Sequence, residues 1–358
     1  MKRFIRDDRK TNLFLVGSPT ILGGNVMRKL QITFAALLLL IIAACDSEND
    51  NDNNNAKGND EPTEVPSEIT FGAATVGGVW YTLSGAMEDE MEEVFPDSST
   101  AIVEGGSTAN VLGIGQGKFD IGFTNGEAIS EANEGTGEFD EKIDNFSTIA
   151  TMYPNPVQLI VREDSDIETV EDLEGKKVSP GIKGYSGEIA FQRILDIKGM
   201  SYDDLDGIEY IGTEDAAELL RDNHIDAWIG NLAAPAATWQ ELDTTVGIRT
   251  ISLDEETIDE LYEDNPGYVP YTMEAGTYPN QEEDVETVAP PTVLLVNNDT
   301  MPEDAVYELT KMVVENNDKW ASISSTLEEF DAEYSVENNV GEMHPGAEKY
   351  YKEIDVLD

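Results

Sequence analysis

Between Ile69 and Asn125 this chain repeats one unit, an apolar strand, a glycine-bearing turn and a helix, and no other feature restricts the fold so strongly. Residues 69–74 read as a strand, Gly77-Gly78 as a turn, and 79–94 as a helix with Leu83, Met87, Met91 and Val94 on one face. Pro96 ends that helix. Residues 99–104 form the second strand, Gly105-Gly106 the second turn, and Ser107 is placed as N-cap of a helix through Leu112 and Ile114. Residues 119–124 are the third strand, with Asn125 at its end. Strands joined through helices have no hairpin between them, so they lie parallel and the fold class is α/β.

A second set follows. Residues 157–161 are a strand, and 170–178 hold a short helix, a turn and a strand. Gly184-Tyr185-Ser186-Gly187 opens a helix carrying Ile189, Ala190, Arg193, Ile194 and Leu195. Thr213 is read as the cap of a helix through Leu220, and 225–229 as a strand. After a long turn-rich stretch come a strand over 288–296, an amphipathic helix over 301–320, and His344-Pro345, with His344 as a structural helix-start residue. The patterned part exceeds what one core usually serves, so two lobes are expected.

The start of the chain is of another kind. Met27-Arg28-Lys29 precedes an apolar run, 34–44, which ends at Cys45, the only cysteine. A charged start, a short apolar core and small residues before a cut describe an export signal. The run is shorter than the roughly 20 residues that span a bilayer. A cysteine at the cut resembles the lipobox of bacterial lipoproteins, which implies lipidation of Cys45 and anchoring at the extracytoplasmic face of the membrane. Residues 1–26 have no part in such a signal, so translation is expected to begin at Met27. Residues 46–67 are nearly devoid of apolar side chains and read as a disordered acidic tether. The expected division is 1–26 extension, 27–45 signal, 46–67 tether, 68–154 lobe one, 155–265 lobe two, and 266–358 the return into lobe one.

The formal net charge is -51, and seven of the 22 Lys and Arg precede Cys45, so the remainder is more acidic still. That balance argues against nucleic-acid binding. Self-repulsion on this scale weakens a compact state in dilute buffer and is screened at about 1 M salt, where the Debye length is about 3 Å. A halophilic or salt-tolerant source is expected.

Three turns carry the functional reading: Gly77-Gly78, Gly106-Ser107 and Tyr185-Ser186-Gly187 each begin a helix. Free N–H groups and a partial positive charge at helix starts hold carboxylates, and open α/β sheets place ligands at the carboxyl ends of their strands. Residues 77–85 (GGVWYTLSG), 104–110 (EGGSTAN), 117–123 (GKFDIGF), 276–281 (GTYPNQ) and 344–347 (HPGA) together resemble the TAXI solute receptors of tripartite ATP-independent periplasmic (TRAP) transporters. The likeness runs over roughly 68–352. It implies a type II periplasmic-binding-protein fold: two α/β lobes joined by a hinge, leaving lobe one near 153–156 and returning before Val293, with a ligand in the cleft. It also implies delivery of a small carboxylate-bearing solute, glutamate-like or dicarboxylate, to membrane permease subunits driven by an ion gradient. Glu188 stands where many relatives have Thr; it either pairs with a substrate amino group or is a first-turn acid suited to the helix dipole.

The candidate ligand-binding residues are Gly78, Trp80, Tyr81, Ser107, Thr108, Asn110, Asn125, Tyr153, Ser186, Gly187 and Glu188. Trp80 and Tyr81 also read as core aromatics, Asn110 as a surface amide, and Asn125 and Tyr153 as loop residues near the hinge. Arg162 and Lys183 are the scarce bases near the cleft; Arg162 reads equally as paired with Glu163 or Asp164. His224 and His344 have no metal-ligand spacing, Glu188 spoils a G-x-S-x-G elbow, and 113–117 lies at the wrong end of its helix for a dinucleotide loop. No cofactor, metal or catalysis is expected. Two rival readings keep the same architecture: an ABC-importer receptor, and a ligand-sensing lipoprotein for a membrane kinase.

Overall fold

The computed structural model describes residues 64–76 and 78–358. The expected extension, the signal with Cys45, residues 46–63 of the tether and Gly77 lie outside the described residues. The first lobe opens with β1 (Glu68–Gly72), α1 (Val79–Val94), β2 (Ser99–Val103), α2 (Ser107–Gly115), β3 (Ile121–Asn125), α3 (Gly126–Glu134) and β4 (Phe146–Pro154). The second holds β5 (Val157–Arg162), β6 (Lys177–Ser179), α4 (Ser186–Ile197), β7 (Gly207–Ile208), α5 (Thr213–Arg221), β8 (Ala227–Asn231), α6 (Ala237–Val246), β9 (Ile248–Ile251), α7 (Glu255–Asp264), β10 (Pro270–Met273) and β11 (Val285–Val288). The chain then returns through β12 (Pro291–Asn297), α8 (Glu303–Glu315), α9 (Asn317–Ala321), α10 (Ala332–Glu337) and α11 (Pro345–Glu353).

The two main sheets share one topology, β2-β1-β3-β12-β4 and β7-β6-β8-β5-β9. In each, three strands run parallel, and the strand that has just crossed from the other lobe is inserted antiparallel between the third and fourth. Helices cover both faces, as parallel strands require. In lobe one, α1, α8 and α11 enclose Phe71, Met87, Leu294 and Val313, while α2 and α3 enclose Val111, Ile129 and Leu295 on the opposite face. On α1 it is Leu83, Met87 and Met91 that are buried, at about 1.5–3 kcal/mol each. In lobe two, α4 and α7 cover one face through Phe191 and Leu261, and α5 and α6 the other through Leu220 and Trp239.

Two crossings join the lobes, one between β4 and β5 and one between β11 and β12. They run side by side: the Asn155 amide donates to Pro290 O (2.9 Å) and Thr287 Oγ1 to Val157 O (2.5 Å). Pro154 and Pro291 face each other as the last pair of the β4–β12 ladder, and Pro156 and Pro290 lie in the crossings with no N–H to extend it.

Several expectations are corrected. The strand expected over 288–296 is split by Pro290 and Pro291 into the end of β11 and β12. The return therefore lies at 288–291; β10 and β11 belong to lobe two, where Met273 and Val285 join its core. The helix expected over 301–320 breaks at Asn316, whose Nδ2 donates to Met312 O. Ser107 and Thr213 are first helical residues rather than caps; Gly106 and Gly212 hold the cap positions. Eight elements, α3, β4, β7, α6, β9, α7, β10 and α10, carry no reading in the sequence. In α3 and α7 acidic residues hide the apolar face.

Candidate functional site

A cleft of about 660 Å³ lies between the lobes at the carboxyl ends of β1, β3, β6 and β8. The first turns of α1, α2 and α4 open onto it through Gly78, Gly106 and Tyr185, and none of these caps is closed by a side chain. Three other helices do carry a side-chain cap: Asp254 on α7, Asp331 on α10 and His344 on α11 each accept a first-turn amide. Amides left free at the cleft from both lobes form an anion-binding arrangement.

The floor is an asparagine cluster spanning both lobes and the hinge. Asn125 ends β3, Asn231 ends β8, and Asn155 sits on the crossing between them. Asn125 Nδ2 donates to Asn231 Oδ1 (2.6 Å) and to Ser186 Oγ (3.3 Å), Asn155 Nδ2 donates to Asn125 Oδ1 (3.2 Å), and Asn231 Nδ2 donates to Asn155 O. The lobes also approach where Gly106 faces Tyr185: a Cβ on Gly106 would sit 3.4 Å from that ring. Ser107 Oγ accepts from the Asn125 amide (2.8 Å) and shares a proton with Thr124 Oγ1 (2.9 Å). The equivalent positions of Asn125 and Asn231 follow from the repeated topology, and Gly230-Asn231 after an apolar strand was the signal sequence reading passed over.

Of the predicted residues, Gly78, Trp80, Ser107, Asn125, Tyr153, Ser186 and Gly187 line the cleft, and Tyr81, Thr108, Asn110 and Glu188 do not. Trp80 is both core and wall: it is 8% exposed and stacks on Phe123 at 5.7 Å. Asn110 is a correction to both of its readings. It is fully buried behind the turn, where Nδ2 donates to Gly72 O, Ala73 O and Phe123 O at 2.7–3.0 Å. Glu188 is neither in the cleft nor solvated; it turns into lobe two and accepts from the Gly184 amide (3.1 Å), Tyr202 OH (2.8 Å) and Gln192. Arg162 pairs with Asp164 (3.1 Å) and donates to Arg221 O; Lys183 lies over the Tyr210 ring. Among the described residues no Lys, Arg or His lines the cleft, and its only charged walls are Glu214 and Asp215.

Sequence reading also missed Glu127. It lies on α3, 3% exposed, with the Ser186 hydroxyl favouring its ionised form against burial, and Oε2 without a partner. Burial pushes its carboxyl up from 4.5 to about 7. Glu131, one turn on, is held by Arg193 Nη2 (2.5 Å) and Asn265 Nδ2 (3.1 Å) of lobe two.

No helix among the described residues is long and apolar enough to cross a membrane. The model of the NMT1-like family matches residues 71–354. Among solved structures, PhnD1 from Prochlorococcus marinus (MIT 9301) in complex with methylphosphonate superposes with a TM-score of 0.50 at 10% identity, over 81% of this chain and 99% of that one. The alkanesulfonate-binding protein SsuA from Xanthomonas axonopodis pv. citri bound to MOPS gives 0.43 at 15%, over 83% and 82%. The PhnD1 likeness, with the repeated sheet order, is that of the type II periplasmic-binding-protein fold.

Proposed function

The chain belongs to the NMT1-like family, and from that premise we propose that it is the extracytoplasmic solute receptor of a TAXI-type TRAP transporter. In this reading it is tied to the membrane through Cys45 and delivers a small carboxylate-bearing solute, glutamate-like or dicarboxylate, to an ion-gradient-driven permease. One observation carries the binding role: a cleft into which both lobes direct uncapped helix starts, with Asn125 already bonded across it to Ser186. The anion is held by backbone amides of the α1, α2 and α4 first turns, with hydroxyls from Ser107 and Ser186. Binding draws the lobes together because the solute touches both, and closure is favoured only by the extra affinity of the closed form.

The test is mass spectrometry of solute released from the chain purified and denatured in high salt. Thermal-shift titration with glutamate, glutamine, 2-oxoglutarate and C4-dicarboxylates then ranks the chemistry. Ser186→Ala is expected to weaken the best acid about 10- to 100-fold, one charge-assisted hydrogen bond's worth. Ser107→Ala has a smaller effect, since its oxygen also holds the Asn125 amide. Unchanged affinity in both variants would remove these hydroxyls from the site. A greasy, uncharged solute recovered from the cleft would end the carboxylate reading. A neighbouring ATPase gene in place of a permease gene would move the chain to an ABC importer.

A further inference from the structure

We infer that Glu127 couples occupation of the cleft to the uptake of one proton, and that Glu127 positions the Ser186 hydroxyl for an anionic solute. The inference rests on the receptor reading. Its ground is the junction between α3 of lobe one and the elements of lobe two packed on it. Asn265 Nδ2 donates to Glu127 O (3.1 Å), and Gly267 presses so closely that a Cβ there would lie 2.3 Å from the Glu127 amide nitrogen. Arg193 of α4 is the single cation present. Glu131 takes its Nη2 (2.5 Å), and Asp264 of α7 stands 3.9 Å from its Nη1. Three polar atoms in this junction are buried without partners: Glu127 Oε2, Arg193 Nη1 and Tyr268 OH.

The charges facing Glu127 are thus Glu131 from its own helix, Arg193 from α4 and, beyond Arg193, Asp264; Tyr268 adds a neutral hydroxyl. Arg193 gives its Nη2 to Glu131, and its attraction for an ionised Glu127 is outweighed by burial and by the Glu131 charge. Closing the lobes over Glu127 removes water from its carboxylate, and a proton from solution restores neutrality. Burial accordingly holds the group near 7.

The same proton sets the polarity of Ser186. Its oxygen accepts from Asn125 Nδ2 (3.3 Å). When Glu127 is ionised, the Ser186 proton is drawn to the carboxylate, and only lone pairs are left for the cleft. When Glu127 is protonated, it donates to Ser186, and the Ser186 proton is free for a solute anion. Both effects have one sign: a proton on Glu127 favours the closed, anion-loaded form. The open form releases that proton at the ordinary carboxylate range. Affinity therefore rises as pH falls from about 7 towards 5, by up to ~10-fold per unit.

Two measurements on the full chain in high salt test this. The first compares infrared spectra of solute-free with solute-loaded protein. In heavy water between about pH 5.5 and 6.5, where ordinary carboxyls are ionised, saturating L-glutamine should raise in the wild type a protonated-carboxyl carbonyl band that Glu127→Gln lacks. Absence of the band from the wild type overturns the inference. The second is calorimetric titration with L-glutamine, which does not titrate in this range, from about pH 5 to 8. Wild-type affinity should climb with acidity and proton uptake should accompany binding, whereas Glu127→Gln should stay near the acid-limit affinity at every pH. A flat wild-type profile, or a slope retained in Glu127→Gln, overturns the inference and leaves the receptor reading standing. If neither L-glutamine nor any acid of the thermal-shift panel binds at any pH, the receptor reading falls and takes this inference with it.

Discussion

Asn110 shows how one side chain stitches a turn together. Its two amide protons serve three carbonyls, two at the end of β1 and one on β3. Its Oδ1 occupies space open only because residues 72 and 105 are glycines, where a Cβ would approach it to 2.7 and 2.0 Å. Asn110→Leu keeps the volume and strands those carbonyls in a dry interior. The expected loss is about 2–4 kcal/mol in urea unfolding, more than any surface amide would cost. A loss below about 0.5 kcal/mol would show that the carbonyls find other partners. Sequence reading placed Asn110 in the ligand site because an amide after a glycine turn serves a solute and a backbone equally well. Only the position of Gly72 and Phe123, brought from distant strands, decides between them.

At the scale of elements, α11 depends on a neutral histidine. His344 Nδ1 accepts the Gly346 amide (3.1 Å), and Pro345 occupies the first helical position, where no N–H is needed. Burial lowers the His344 imidazole from 6.5 to about 4. Below about 6.5 the unfolded chain binds a proton there and the folded one does not, so stability falls as pH drops from 6.5 towards 4, by up to about 3 kcal/mol. His344→Asn keeps an accepting cap without titrating, so its urea midpoint between about pH 7 and 5 should move less than that of the wild type. Equal movement in both proteins would assign the acid sensitivity to other groups. Glu127 has the opposite sign: its raised carboxyl makes the fold more stable below about 4.5, an advantage lost as pH rises through about 7. The role of His344 was legible from His-Pro in the sequence. Glu127 was not, because a Gly-Glu-Ala start has the look of any solvent-facing first turn.

For the whole molecule, charge sets the conditions of folding. With 73 acids against 22 bases, most carboxylates have no cation within reach, and pairs such as Arg162–Asp164 and Lys349–Asp304 are surface contacts worth little each. Thermal unfolding followed by circular dichroism should show Tm rising by about four degrees or more, on the order of 2 kcal/mol or above, between about 0.1 and 2 M potassium chloride. A Tm insensitive to salt would show that repulsion is not the limiting term. The amino-acid order alone determined the α/β class, the two lobes and three glycine turns at helix starts. Each of these rests on local backbone preference and short-period apolar spacing, which the chain carries wherever it goes. The tertiary structure alone decided that the return runs at 288–291, that Asn155 and Asn231 join Asn125 beneath the cleft, and that Glu188 and Asn110 turn away from it. Those outcomes depend on which strand lies beside which and on what each side chain meets there, as Asn125 meets Asn231 across 106 residues, and no local pattern encodes it.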